Sequence, residues 1–149
     1  MREIKFRGKR TDNGELVVGC LIIISHKAWI KDIDDKTTNP RRLAKDFADF
    51  RCVEVEKETV GQYTGLKDKN GVEIYEGDIV DNRYTVIYPS SEYQFRHIGI
   101  VKFVVKQGCL VIHNTDGNTK RLTAKTVRIN KIKVLGNIYD NPELLGVQE

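Results

Sequence analysis

Cysteine and histidine are the residues of this chain with the greatest capacity for nucleophilic or metal-binding chemistry. They lie far apart in the sequence, at Cys20, Cys52, Cys109, His26, His97 and His113. They contain no CxxC pair and no metal-ligand spacing, so the sequence predicts neither a zinc site nor a disulfide framework. A catalytic Cys–His pair would have to be assembled by the fold, and the spacing gives it no support. Cys20 and Cys109 lie in apolar, strand-like runs, and we interpret both as core residues.

Acidic side chains are concentrated in the glycine-rich segment 61–80. The four acids are Asp68, Glu73, Glu76 and Asp78. Their spacing lacks the order of a calcium loop, and no Gly-Lys-Ser/Thr follows the glycines, so neither a metal nor a phosphate loop is predicted. We expect a solvated acidic rim, no catalytic residues and no cofactor. A small-ligand site is the alternative to this structural role, and it would use Gln62, Tyr63, Thr64 and Asp78.

A basic segment is the strongest electrostatic feature of the chain. Residues 93–139 contain nine Lys and Arg residues and one acid, Asp116, although the formal net charge of the whole chain is only +4. Such a segment attracts polyanions because they release counterions on binding, whereas the alternative is a solvated face that binds nothing. The candidate anion-binding residues are Arg96, Lys120, Arg121, Lys125, Arg128, Lys131 and Lys133. We expect the last six to share one face, with Arg96 nearby.

Length and composition predict one globular domain over residues 1–149, with 40% hydrophobic and 31% charged residues. The N-terminal residues lack a signal-peptide pattern, and the longest apolar stretch, residues 17–24, is too short to span a bilayer. Free thiols fit a reducing compartment. We therefore expect a cytoplasmic protein with no membrane partner.

Turn signals and short alternating runs predict a mainly β chain of antiparallel strands. Residues 16–24 are nearly all apolar, which favours a strand buried on both faces. One helix is expected over residues 40–47, where Asn39 can cap it and Pro40 suits its first turn. Residues 81–97 are expected to be irregular.

The second half should form most of a small barrel over residues 72–138. Hairpins are predicted across residues 106–108 and 114–118, a last strand over 131–138, and a helical turn at Pro142. The side chains expected to be largely buried are Ile22, Trp29, Ile79, Val101, Phe103, Val111, Val134 and Ile138.

One long segment also resembles a known family. Residues 59–80 read TVGQYTGLKDKNGVEIYEGDIV, and shorter matches follow as GIVKF at 99–103 and LGNIYDNPELL at 135–145. Together with IKFR at residues 4–7, they closely resemble the YopX family over nearly the whole chain. The resemblance implies a protein encoded by bacteriophages or prophages, with a mainly β fold and an SH3-like barrel. Within it, residues 1–58 would form an N-terminal β region with a short helix, and 59–145 the SH3-like region.

The resemblance implies no reaction, so we weigh three functions and favour the first, with the second as the alternative. The first is a non-enzymatic protein-binding module of a phage programme in the bacterial host, whose contact residues would be Tyr84, Tyr88, Tyr93 and Phe95. The second is nucleic-acid binding, without sequence preference, through the basic 93–139 segment. The third, an enzyme, has no triad, metal set or nucleotide fingerprint to support it. The identity of the partner and the oligomeric state are left open.

Overall fold

The computed structural model of the chain describes residues 3–32 and 52–146. The chain divides into two compact units, residues 1–63 and 64–149. Both are built mainly from antiparallel strands, as the sequence predicts. The helix expected at 40–47 lies outside the described residues. We still predict, from the sequence, a single domain whose two regions meet near residue 58. None of the helices in the described part of the chain has the length and hydrophobicity needed to cross a membrane.

The first unit is an antiparallel sheet with the order β4-β3-β2-β1-β5. Its strands are β1 (Phe6–Lys9), β2 (Leu16–Ile24), β3 (Lys27–Asp32), β4 (Cys52–Val55) and the beginning of β5 (Gly61–Lys67). A 3₁₀ helix, Lys57–Thr59, precedes β5. The apolar cluster of this unit contains Val17, Ala28, Ile30 and Val55.

Strand β2 is buried on one face only, so the prediction of two buried faces is wrong. Val17 is buried, whereas Leu16 is exposed. Cys20 is exposed as well, so its assignment to the core is wrong. Successive side chains of a strand point to opposite faces, and in the described residues one face of this strand carries the core. Ile22 and Trp29 are accordingly half-buried rather than buried.

The second unit is a five-stranded antiparallel sheet with the order β10-β9-β8-β7-β11. Its strands are β7 (Asp78–Tyr88), β8 (Ser91–Val104), β9 (Cys109–Asn114), β10 (Thr119–Arg121) and β11 (Lys133–Asn137). The end of β5 and the short β6 (Glu73–Tyr75) precede them. Hairpins turn at the predicted places, with 3₁₀ helices at Val105–Gln107 and Pro142–Leu145. Strands β10 and β11 are the two ends of this order, so within the described residues the sheet is open rather than a closed barrel.

A short helix that the sequence analysis missed closes the core of this unit. Helix α1 (Ala124–Ile129) begins after Thr123, whose side-chain oxygen accepts a hydrogen bond from the Thr126 amide at 3.1 Å. Such a cap satisfies an amide that the first turn of a helix leaves unpaired. Val127 from this helix then packs on the sheet. The core cluster consists of Ile74, Val80, Val101, Ile112, Leu122, Val127 and Ile132.

Three of the predicted core residues of this unit are buried, namely Ile79, Val101 and Val111. Val134 and Ile138 are half-buried. Phe103 is 51% exposed, so its assignment to the core is wrong. It lies on the same face of β8 as Val101, opposite Leu110, which is itself only partly buried against the core cluster. Cys109, also predicted to be in the core, is half-buried.

Candidate functional site

The paired strands β7 and β8 run unbroken through residues 81–97, where an irregular segment was predicted. Tyr84 lies opposite Phe95 and Asn82 lies opposite His97. Paired residues of antiparallel strands point to the same face, so these four side chains share one side of the hairpin. The fold thereby aligns aromatic residues that are up to 13 positions apart in sequence.

The aromatic rings on this face are stacked. The Tyr84 centroid lies 5.3 Å from that of Phe95 and 5.4 Å from that of His97, with interplanar angles of 20° and 8°. Phe95 is 42% exposed. The Phe95 ring is the part of this group that is open to solvent, and we call Tyr84, Phe95 and His97 the aromatic platform.

Lys120 lies on this platform. Its Nζ is 3.6 Å from the centroid of the Tyr84 ring, which is a cation–π contact. Lys120 pairs with the core residue Ile112 across β10 and β9, and its side chain therefore points to the core side of the sheet. The next residue, Arg121, points to the opposite side and is exposed.

A groove of about 850 Å³ runs beside the platform. It is lined by basic and aromatic side chains, chiefly Arg83, Tyr84, Phe95, Arg96, Lys120 and Lys131. Three of the seven candidate anion-binding residues and two of the four candidate contact aromatics thus line one groove, although Arg83 and Arg96 point to the opposite face of the β7–β8 hairpin from Tyr84 and Phe95. We call this the aromatic groove.

The two arginines of the groove share one carboxylate. Arg83 and Arg96 contact the same Asp81 oxygen at 2.9 and 3.3 Å, and the Asp81 side chain is only 5% exposed. The hydrogen bonds that Arg83 donates to the Asp81 carboxylate raise the pKa of Arg83 above its usual value. Two guanidinium groups against one carboxylate leave a surplus positive charge on this wall.

The lysines of the groove lie beyond salt-bridge distance of every carboxylate in residues 3–32 and 52–146. Neither Lys120 nor Lys131 takes part in a salt bridge there. The one acid of the basic segment, Asp116, is occupied elsewhere. Its carboxylate accepts hydrogen bonds from the Asn118 side chain and backbone, which lower the pKa of Asp116, and it lies 2.9 Å from His97 Nδ1. The positive charge of the two lysines is therefore not cancelled locally.

Two polar contacts fix the shape of the site. His97 lies between Asp116 and Tyr84, because its Nε2 is 3.2 Å from the Tyr84 hydroxyl oxygen. On the other wall, the Asn130 side chain donates to the Asn82 amide oxygen at 2.8 Å in a buried pair. This pair holds the end of α1 against β7 and so places Lys131, which follows in a left-handed turn with φ of 48°.

The structure divides the remaining candidates instead of placing them on a single face. Arg128 lines a second cleft, which Lys131 also borders. Arg121, Lys125 and Lys133 are exposed and line neither cavity. Tyr88 and Tyr93 lie near the end of the β7–β8 hairpin, 56% and 52% exposed, with their rings edge to face at 5.8 Å. They do not line the groove.

The acidic residues of the 61–80 segment hold the backbone together. The Asp68 carboxylate accepts hydrogen bonds from the amides of Asn70, Val72 and Val134 at 2.7–3.0 Å. The Asp78 carboxylate accepts from the Tyr75 amide at 2.8 Å. Both acids are buried, so the expected solvated rim is wrong for them.

The alternative ligand site in this segment is not supported by its contacts. Thr64 donates to the Ile74 carbonyl at 2.7 Å, and Asp78 is fully buried. Among the described side chains, no group of three or more His, Cys, Asp or Glu residues could hold a metal ion.

The described fold is that of a small antiparallel β protein with a groove lined by basic and aromatic side chains. Residues 5–146 match the sequence model of the YopX protein family, and the chain belongs to that family. No curated protein matches it. The crystal structure of protein EF1440 from Enterococcus faecalis is similar, with 23% sequence identity and a TM-score of 0.47, over 97% of this chain and 99% of that one.

Proposed function

We propose that the protein binds single-stranded nucleic acid at the aromatic groove, without sequence preference. The observation that carries this proposal is the position of Lys120 and Lys131, neither of which has a carboxylate partner among the described residues, beside the exposed ring of Phe95. Proteins that bind single strands combine cations that meet phosphates with aromatic rings on which bases stack.

The positive groups of the groove suit phosphate binding. Each lysine is a flexible point charge, and each guanidinium that shares Asp81 keeps further N–H donors. A phosphate at the groove mouth would gain charge-assisted hydrogen bonds at little desolvation cost, because Lys131 is exposed. None of these groups reads a base edge in a fixed geometry, which is why no sequence preference is proposed.

The aromatic platform suits a nucleobase. The Phe95 ring is open to solvent, and the Tyr84 ring already binds a cation on its face. A base that stacks on Tyr84 would displace the Lys120 ammonium, which would then be free to meet the neighbouring phosphate. A duplex keeps its bases stacked on each other, so the groove should favour single strands over double strands.

Titration of labelled oligonucleotides tests the proposal. Single-stranded DNA, single-stranded RNA and duplex DNA are mixed with the protein at ~50 mM salt, where phosphate contacts are strong. We expect binding to both single strands and weaker binding to the duplex. The variant Lys120→Gln, Lys131→Gln should lose most of this affinity.

The control variant is Lys102→Gln, Lys106→Gln. It removes the same charge from exposed lysines of the same unit that line no groove. Both variants should unfold at the wild-type temperature. Absence of binding to every oligonucleotide, or equal losses in the two variants, would rule the proposal out.

A protein partner at the end of the β7–β8 hairpin is a second candidate function. Ile87, Tyr88 and Tyr93 are 77%, 56% and 52% exposed there. Exposed aromatic residues on a strand pair are typical of recognition surfaces. A bacterial protein that remains bound in a pull-down after nuclease treatment, and is lost on Tyr88→Ala, would support this function.

The family membership leads us to propose the setting as well. We place the protein in the cytoplasm of a bacterial cell during a phage or prophage programme, where its three free cysteines would stay reduced. We further propose that it acts by binding rather than by catalysis, and that the second unit is related to SH3-like barrels.

A further inference from the structure

We infer that the bound strand extends past the aromatic groove into a second cleft, so that the ligand is a chain of several nucleotides rather than a single nucleotide. The inference rests on the proposed function. The second cleft has a volume of about 390 Å³ and lies between the loop after β5 and helix α1. We call it the basic cleft, and its charged residues are Lys67, Asp68, Lys69, Arg128 and Lys131.

Lys131 joins the two cavities because it lines both of them. It lies two residues past α1, so residues of that helix border the cleft and its last residue, Ile129, borders the groove. A polymer that leaves the platform at Lys131 therefore meets a residue that also lines the basic cleft.

The loop that carries the other lysines is held in place beside Lys131. The Lys69 amide donates to the Ile132 carbonyl at 3.0 Å. The Asp68 carboxylate accepts from the Val134 amide at 3.0 Å and from two amides of its own loop. The backbone that carries Lys67 and Lys69 is thus held in place before any ligand arrives, which lowers the ordering cost of binding.

The charge balance of the cleft favours an anion. Its cations, Lys67, Lys69, Arg128 and Lys131, are all exposed, and none forms a salt bridge within the described part of the chain. Its one carboxylate, that of Asp68, is buried and already accepts three amide hydrogen bonds. Four cations face solvent around one shielded acid.

The cleft differs from the groove in having no aromatic ring among its lining residues. Its apolar members are Leu66, Ala124 and Val127. It can therefore meet phosphates and sugars but offers no ring for base stacking, and it fits the backbone of a strand whose bases stack at the platform. An acidic protein segment would satisfy the charges but would leave the platform unused.

A length series with a matched variant tests this inference. Thymidylate oligomers of about 4 and about 16 nucleotides span the usual site sizes of small β domains on single strands. Binding constants are measured over a range of salt concentrations for the wild type, for Lys67→Gln, Lys69→Gln and for the control Lys102→Gln, Lys106→Gln. The slope of log affinity against log salt is the readout, because a longer oligomer also gains affinity simply by offering more binding positions.

We expect the wild-type slope to be steeper for the long oligomer than for the short one. Loss of Lys67 and Lys69 should reduce the slope for the long oligomer by about 1.4, since each phosphate contact on a single strand contributes about 0.7. The short oligomer and the control variant should show no change.

The remaining outcomes separate the extended site from the aromatic groove. Equal slopes for the two oligomers, or an unchanged slope in the Lys67 and Lys69 variant, would overturn the extended site and leave the aromatic groove standing. Failure of the wild type to bind either oligomer would overturn both the groove and its extension. Tight binding of a poly-glutamate peptide to the wild type, but not to the Lys67 and Lys69 variant, would assign the basic cleft to an acidic protein instead.

Discussion

Replacement of Phe95 by alanine should weaken binding of single strands without unfolding the second unit. The ring is 42% exposed and lies 5.3 Å from the Tyr84 centroid at the open side of the platform. Base–aromatic stacking contributes about 1–3 kcal/mol per base, so the dissociation constant should rise about 5- to 150-fold. Because about half of the ring is already exposed, the loss of folding stability should stay near 1 kcal/mol.

The matched control for this variant is Phe103→Ala. Phe103 lies on the same strand and is 51% exposed, but lines neither cavity. Fluorescence anisotropy with a labelled oligomer should show wild-type affinity for the control, and thermal unfolding should show similar small losses of stability for both variants. Equal affinity losses in the two variants, or none for Phe95→Ala, would refute the stacking argument.

Three further predictions concern the thiols, an acid and a glycine. Cys20 is exposed, whereas burial raises the pKa of the Cys52 thiol, so native alkylation at neutral pH followed by peptide mapping should label Cys20 first, and faster labelling of Cys52 would contradict this. Hydrogen bonds from Asn118 lower the pKa of Asp116 below its usual value of 3.8. The loss of unfolding free energy caused by Asp116→Asn should therefore be greatest above pH 3.8 and should decrease as the pH falls below that value. A loss that does not change with pH in chemical denaturation would contradict this prediction. A Cβ at Gly99 would lie 2.9 Å from a backbone carbonyl oxygen of the neighbouring strand, so Gly99→Ala should cost about 1–3 kcal/mol in unfolding free energy, and wild-type stability would show that the strands can separate.

Turns were the best-predicted part of the fold, because their residues act locally. Gly108 and Gly117 have φ values of 60° and 83°, which glycine adopts without strain, and both expected hairpins are present. Gly77 has φ of 85°, and the neighbouring Asp78 carboxylate accepts a hydrogen bond across that turn. Such chemistry depends on a few adjacent residues and can be read from the sequence.

The β7–β8 hairpin and helix α1 could not be predicted in the same way. Residues 81–97 contain polar residues at many positions, and their strands are held by cross-strand pairing rather than by burial of one apolar face. Helix α1 spans six residues, too few to show a helical period, and it forms because Thr123 caps it and Val127 packs on the sheet.

The candidate site was likewise predicted only in part. The charge excess and the aromatic residues were evident in the sequence, but their grouping was not, because adjacent residues such as Lys120 and Arg121 point to opposite sides of a strand. Lys67 and Lys69 were not among the predicted site residues because they lie outside the basic segment. Their alternation with Asp68, which is buried, is the one local signal that could have placed both on an exposed edge.

Photo-crosslinking shows most directly whether a single strand binds at the aromatic groove. A single-stranded oligomer that carries 5-iodouracil is bound to the protein at low salt and irradiated, and the attached peptides are identified by mass spectrometry. We expect adducts on Tyr84 or Phe95 that disappear with Lys120→Gln, Lys131→Gln. Adducts confined to Tyr88, Tyr93 or Phe103, or no adduct at all, would contradict nucleic-acid binding at the aromatic groove.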